Sequence, residues 1–346
     1  MGTSLLTNQS AMNALQTLRS IGDNMDTTQR RVSTGLRINE ASDNTAYWSI
    51  SSMMKSDRSA LSSVSDAMAL GKSQIDVANA TIDKSKEYLD KIQKSLTTAY
   101  QKGSGDIKKI QADIKANMND IESAVYSASL AEKNILGNNG ESVRIAGSYR
   151  REGTAVYVDM IDVGGADLNF AKKTTDGKFD LTKGVLETVF AKDINTDENK
   201  KISTILGKIN KEGATADDIS NAETELRTAA GDMTVKDFVE ADLSKVSAPT
   251  MEVLLKAVQG KVTTATSNVT TAGATLGAAK AQVTGQIDYV SKLMDAVDKG
   301  VGSLVDADMN AESARLASLQ VQQQLGIQAL SIANQNSQNI LSLFRQ

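Results

Sequence analysis

Counting along the chain in alternating steps of three and four picks out long apolar seams. One runs Leu61, Val64, Met68, Gly71, Ile75, Ala78, Ile82, Ser85, Leu89, Ile92, Leu96, Ala99, and only Gly71 and Ser85 break its apolar character. A 3.5-residue repeat sustained this long predicts a helix in coiled-coil-like packing. Gly103-Ser104-Gly105 interrupts it, and a second seam follows at Ile107, Ile110, Ile114, Ile121, Val125 and Ala128. Residues 60–100 and 106–135 are therefore predicted to form an antiparallel helical hairpin. A third long helix is predicted from Leu255, Val258, Val262, Ala265, Val269, Ala272, Leu276, Ala279 and Val283 onward to Val290, Leu293, Val297, Val301 and Leu304. Pro249 stands near its start, where a missing N–H costs little. The three helices are expected to pack as a rod built from both halves of the chain.

The two ends carry a different pattern. Near the start the same count gives Leu15, Leu18, Gly22, Met25, Gln29, Val32 and Leu36. Near the finish, Leu316, Leu319, Leu330, Ile340 and Phe344 form one stripe and Val321, Leu325 and Ile332 another. A helix apolar on several sides is buried by several neighbours. No charged side chain occurs from Leu316 to Phe344, although Gln, Asn and Ser abound there, and none occurs from Met1 to Leu18. Chain ends of soluble proteins usually fray and carry charge. Two uncharged amphipathic ends are predicted to be helices that order when other copies of the chain bury them, and Leu330→Asp is expected to leave the monomer folded and exported but to block that assembly.

Between these regions the texture changes. Val143 to Val163 is rich in β-branched residues and predicts a hairpin turning at Arg150-Arg151-Glu152-Gly153. From 166 to 248 short apolar clusters alternate with Gly and Asp, and helices are predicted near 202–210 and 216–230. The fold class is thus mainly α: a long discontinuous helical rod with a β-hairpin region and an inserted outer α+β domain.

Composition narrows the chemistry. The chain has no Cys and no His, which removes disulfides, thiolate ligands, the commonest general base and the commonest metal ligand. A net charge of −4 gives no electrostatic case for nucleic acid. No run of 18 apolar residues exists, so membrane insertion is not expected. The first basic residue is Arg19, so the start does not read as a secretory signal. The expected location is cytoplasmic, or outside the cell by a non-classical route. Asp306 and Asp308 read as helix-start caps rather than a carboxylate pair for catalysis. Asp193, Asn195, Asp197 and Asn199 resemble the start of a calcium loop, but Glu198 and Thr204 stand where Gly and Glu are needed, so a solvated turn is expected. Trp48 reads as packing between terminal helix and rod. No catalytic, cofactor or metal residue is assigned.

Two stretches resemble the bacterial flagellins. Ser33-Thr34-Gly35-Leu36-Arg37-Ile38-Asn39-Glu40-Ala41-Ser42-Asp43-Asn44 is similar to the flagellin motif Ser-Ser/Thr-Gly-x-Arg-Ile-Asn-x-Ala-x-Asp-Asp, with Asn44 departing from its last position. Leu304 to Met309, Leu319 to Gly326, Ala329 to Gln335 and Ile340 to Phe344 resemble the family's C-terminal signature, in order. The resemblance covers roughly 1–140 and 250–346 and is of the alphaproteobacterial, rhizobial type. It implies three layers: 1–43 with 305–346 as the inner filament core, 44–165 with 249–304 as the helical rod, and 166–248 as the outer surface.

It also implies a subunit that polymerises with itself and other flagellins into an extracellular filament for motility. Export through the flagellar channel, a chaperone, and hook-associated and cap proteins would follow. Leu15, Leu18, Met25, Val32, Leu316, Leu319, Leu325, Leu330, Ile332, Ile340 and Phe344 would bury in the assembly, and Leu36, Arg37 and Asn39 would fix the link from inner helix to rod. One alternative is a hook–filament junction protein of similar terminal design. Another is an enzyme or carbohydrate-binding module in 166–248, which the missing His, Cys and nucleophile constellation opposes.

Overall fold

A computed structural model of the chain describes residues 8–100, 106–153, 155–174 and 179–343, the side chains of 336–343 excepted. The protein is mainly helical, with a β-hairpin in its middle third. It divides into two compact units, Met1–Ser62 with Lys292–Gln346 and Ser63–Ser291.

The first unit holds α1 (Gln9–Thr34) and α9 (Met309–Leu343), together with the beginning of α2 (Thr45–Ala99) and the end of α8 (Ala248–Val305). Asn8 caps α1 by accepting from Ala11 N, and Gly35 ends it in the left-handed conformation at φ 72°. Within this unit Arg58 Nε pairs with Asp298 at 3.1 Å, and a Cβ on Gly300 would lie 2.8 Å from Met54 Cε. The start of α2 and the end of α8 thus run antiparallel in close contact.

All twelve positions of the first predicted seam are buried, Leu61 in the first unit and the other eleven in the second. So are Ile107, Ile110, Ile114, Ile121, Val125 and Ala128, and α8 buries Leu255, Val258, Val262, Ala265, Val269, Ala272, Leu276 and Val283. Gln259 Nε2 donates to Thr97 Oγ1 at 3.2 Å, and a Cβ on Gly273 would meet Ile82 Cγ2 at 3.3 Å, so α2 and α8 lie antiparallel here too. The Gly103-Ser104-Gly105 break falls outside the described residues. Ser85 is fully buried, and its hydroxyl has no hydrogen-bond partner among the described residues. A buried donor left unpaired costs about 1–3 kcal/mol. Ser85→Ala is therefore expected to stabilise the monomer by about 1 kcal/mol in urea unfolding; a lower midpoint would show that the hydroxyl is satisfied.

The structure corrects two boundaries. The helix predicted to reach 135 is α3 (Ile107–Ser127), which stops eight residues earlier. Asn134 stops it: its Nδ2 donates to Val125 O at 2.8 Å, while its Oδ1 accepts from Leu136 N and Gly137 N. The chain there also turns through left-handed Ala131 and Glu132. The hairpin strands are β1 (Ser142–Glu152) and β2 (Ala155–Gly164), antiparallel with Glu152 opposite Ala155. Arg150, Arg151 and Glu152 are therefore in β1, not in the turn. Gly153, at φ 61°, opens a two-residue connection that a right-twisted hairpin favours.

Residues 166–248 form short elements: β3 (Lys172–Lys173) pairs with β4 (Phe179–Asp180), followed by α4 (Glu187–Phe190), α5 (Ile202–Asn210), α6 (Ala216–Ala229) and α7 (Val235–Glu240). Helices α6 and α7 begin with reciprocal capping boxes, Thr215 with Asp218 and Thr234 with Asp237.

Candidate assembly surface

The first and last helices, α1 and α9, meet. Asn8 Nδ2 donates to Ala333 O at 3.0 Å and Arg31 Nη1 pairs with Glu312 Oε1 at 3.1 Å, so α1 and α9 are antiparallel over most of α1. On α1 a row of covered positions runs Ala11, Ala14, Leu18, Ile21, Met25, Thr28 and Val32, with Gly22, Thr27 and Arg31 half-buried beside it; on α9 the row is Glu312, Leu316, Leu319, Gln323, Gly326, Leu330 and Ala333. Both lists step by three and four, as two helices in a heptad seam require. Gly326 lets the helices close up, because a Cβ there would sit 2.9 Å from Leu18 Cδ1.

The predicted α1 seam shares Leu18, Met25 and Val32 with this face, and its Gly22 is half-buried at the edge, but it is otherwise displaced by a residue. Leu15 and Gln29 point outward, and Leu36 lies past the end of the helix. The physical reason is that Ala11, Ala14 and Thr28 line the real seam and carry little hydrophobic signal, whereas Leu15 carries much.

On α9 the two stripes separate cleanly. Leu316, Leu319 and Leu330 face α1. Val321, Leu325 and Ile332 are 56%, 57% and 62% exposed, on the opposite side of the helix. Ile327 is also exposed, as is Met12 on α1. The side chain of Ile340 and the whole of Phe344 lie outside the described residues.

A knot of backbone bonds ties the breaks α1–α2 and α8–α9 together. Leu36 and Asp306 form a bridge, Arg37 N donates to Val305 O at 2.6 Å, and Ala307 N donates to Gly35 O at 2.9 Å. Arg37 Nη2 reaches Leu304 O at 2.9 Å. Beneath, Ile38, Val301 and Val305 form a small core flanked by Leu36, Met54, Val297 and Leu304. Asn39 takes part through its backbone: Asn39 N and Glu40 N both donate to Asp43 Oδ2, and these bonds hold the Asp43 carboxyl below its usual range. Asp308 Oδ1 accepts from Asn310 N and Ala311 N at the start of α9.

Sequence reasoning passed over Arg31, Glu312 and Asp43. The first two are a mostly buried interhelix pair whose Arg31 Nε and Glu312 Oε2 have no partner among the described residues. Their signal in the sequence, one charge on each seam, is indistinguishable from surface charge. Trp48 is corrected as well. It is 40% exposed beside exposed Tyr47, Ile50 and Met53, while Ser51 takes the inward position.

The calcium-like stretch is occupied by its own turns. Asp193 accepts from Ser203 N and Oγ, Asn195 Nδ2 donates to Asp232, and Asp197 accepts from Asn199 N. Among the described residues no cluster of three acidic groups has metal-binding geometry. No described helix is long and apolar enough to cross a membrane.

Long seamed helices, paired terminal helices and an apolar stripe left outside describe a mainly helical protein with an unpartnered face. The family model for the bacterial flagellin N-terminal helical region matches residues 5–140, and that for the C-terminal helical region matches 259–344. The chain is 46% identical to a flagellin of Bartonella bacilliformis over 95% of this chain and 97% of the relative. It is 40% identical to a flagellin of Brucella melitensis, over 99% of each. Flagellin A of Rhizobium meliloti is 35% identical across 99% of this chain and the whole of the relative. The chain belongs to the bacterial flagellins, a family of structural filament proteins. These matches lend no support to the hook–filament junction reading.

Proposed function

We propose that this protein is a filament subunit that serves swimming motility, assembling with copies of itself and with other flagellins. The observation that carries this is the back of α9. Leu325, Val321 and Ile332 make an uncharged apolar stripe on the side of α9 turned away from the α1 seam, which a lone chain leaves in water. Burying apolar area at about 25 cal/mol per Å2 gives such a stripe a strong drive to find a partner. In this reading 1–43 with 305–346 form the inner core and order fully on docking, 44–165 with 249–304 form the rod, and 166–248 face outward. Ile340 and Phe344 extend the buried surface. Export through the flagellar channel, helped by a chaperone, and contact with hook-associated and cap proteins belong to the same reading.

Seeded growth tests it. Purified monomer is added to short filament fragments and imaged by electron microscopy, beside a variant ending at Asp308. Elongation by the full chain alone is the expected result. The single tryptophan supplies a second readout: Trp48 emission should shift to the blue as neighbours cover it. A full chain that stays monomeric, or only caps the fragments, removes the proposal.

A further inference from the structure

Residues 166–248 read from sequence as a displayed module, yet their polar contacts reach into the helices around them. Gln111 of α3 is buried, and its Nε2 donates to Phe238 O at 2.6 Å and Ala241 O at 2.9 Å, capping the carboxyl end of α7. Thr188 Oγ1 donates to Lys261 O at 3.2 Å, and Tyr126 of α3 donates to Phe179 O at 2.8 Å. Four of the chain's five phenylalanines lie in this segment, and Phe170 and Phe238 are fully buried.

The strongest tie runs from α6 to the first turn of α8. The Glu223 carboxylate is buried and accepts from Ser247 N at 2.6 Å, Ser247 Oγ at 2.5 Å and Thr250 Oγ1 at 3.0 Å. Arg227 Nε donates to Thr250 Oγ1 at 2.7 Å, and its Nη2 lies 3.7 Å from Glu223 Oε2. The first four N–H positions of a helix lack partners within the helix and carry its positive end. Pro249 removes one of these groups, and Glu223 sets a negative charge from a separate helix against the rest.

We propose that segment 166–248 is a clamp on α3 and on the start of α8, and that the Glu223 carboxylate is its acid-releasable latch. The charged group facing Glu223 is Arg227 from its own helix; α8 and its approach present two hydroxyls and one backbone N–H. Burial alone would raise the Glu223 pKa, but the Ser247 and Thr250 bonds and the Arg227 charge outweigh it and lower it below its ordinary 4.5. A carboxyl depressed by folding stabilises the folded state above its unfolded pKa and loses that contribution as pH falls through the folded value. Once protonated, it carries no charge for the helix end or for Arg227, and its own proton meets groups that are already donors. The clamp therefore holds at neutral pH and opens in acid below about 4.5. This inference is independent of filament assembly.

Hydrogen exchange on the full-length monomer tests it across a pH series, with rates corrected for intrinsic chemistry. In the wild type, amides 216–229 and 250–256 are expected to lose protection in acid before the α2 seam does. Glu223→Gln should show at least tenfold faster exchange at those amides already at pH 7, and its local opening should no longer depend on pH. Glu223→Asp, which keeps the charge, should restore part of the protection. Wild-type protection in Glu223→Gln at pH 7 overturns the latch. If that variant does not fold, the wild-type series decides: loss of both regions together with the α2 seam overturns it, and earlier loss supports it.

Discussion

Leu325→Asp is expected to leave the monomer as stable as the wild type and to abolish growth from filament seeds. Leu325 is 57% exposed on the back of α9, so the isolated chain gives up little when it becomes polar. A surface substitution away from packing features usually changes stability by less than about 0.5 kcal/mol. In an assembly that buries this stripe, the same carboxylate is desolvated against Val321- and Ile332-like neighbours. An uncompensated buried charge costs about 3–5 kcal/mol, and each 1.4 kcal/mol is tenfold in association. A subunit contact weakened by a factor of about a hundred or more cannot sustain elongation at ordinary monomer concentrations.

Leu330→Asp, the variant that the sequence pattern favours, is a poorer probe. Leu330 faces α1 within the same chain, so a charge there disrupts the α1–α9 seam as well as any assembly. Far-ultraviolet circular dichroism and melting of the monomer separate the two variants: Leu325→Asp should match the wild type in both, and Leu330→Asp should lose helix. Filaments of normal length from Leu325→Asp would place the stripe in solvent and remove it from the interface.

The contrast between these leucines shows where sequence reading succeeds here. The α2 and α8 seams were legible because apolar residues, most of them large, recur at the a and d positions, so packing and periodicity carry one signal. Helix α6 was predicted near 216–230, and the capping box that starts it, Thr215 with Asp218, is a local arrangement of the kind a sequence can show. The α1 phase was not legible, because Ala11, Ala14 and Thr28 occupy three of its seam positions and carry little hydrophobic signal, while Leu15 beside them carries much. Tertiary devices were hidden for a related reason. Gln111, Glu223, Arg31 and Glu312 are polar residues on helices, and nothing local separates them from solvated ones. Their roles come from carbonyls, hydroxyls and charges supplied by segments distant in the chain.

Gly71 is the sharpest case, because periodicity placed it in the seam without explaining why a glycine should stand there. A Cβ at Gly71 would lie 2.3 Å from Ile145 Cγ2 and 3.0 Å from Ile145 Cδ1, so β1 presses directly onto α2 at this point. Ile145 is buried and paired opposite Ile161. Its branched Cβ leaves little freedom at χ1 for the methyl to withdraw, and its strand is held by the hairpin ladder. Gly in a helix interior costs about 1 kcal/mol relative to Ala, a penalty that the close approach explains. Gly71→Val should recover part of that propensity yet destabilise the monomer by about 2–3 kcal/mol through overpacking. Ile145→Ala opens the space at its own cost of about 2–5 kcal/mol, and the double variant should be more stable than the sum of the two losses, by a coupling of at least about 1 kcal/mol. Chemical denaturation of the four proteins measures this. Additive losses, or a Gly71→Val variant as stable as the wild type, would mean that β1 does not rest on α2 at Gly71.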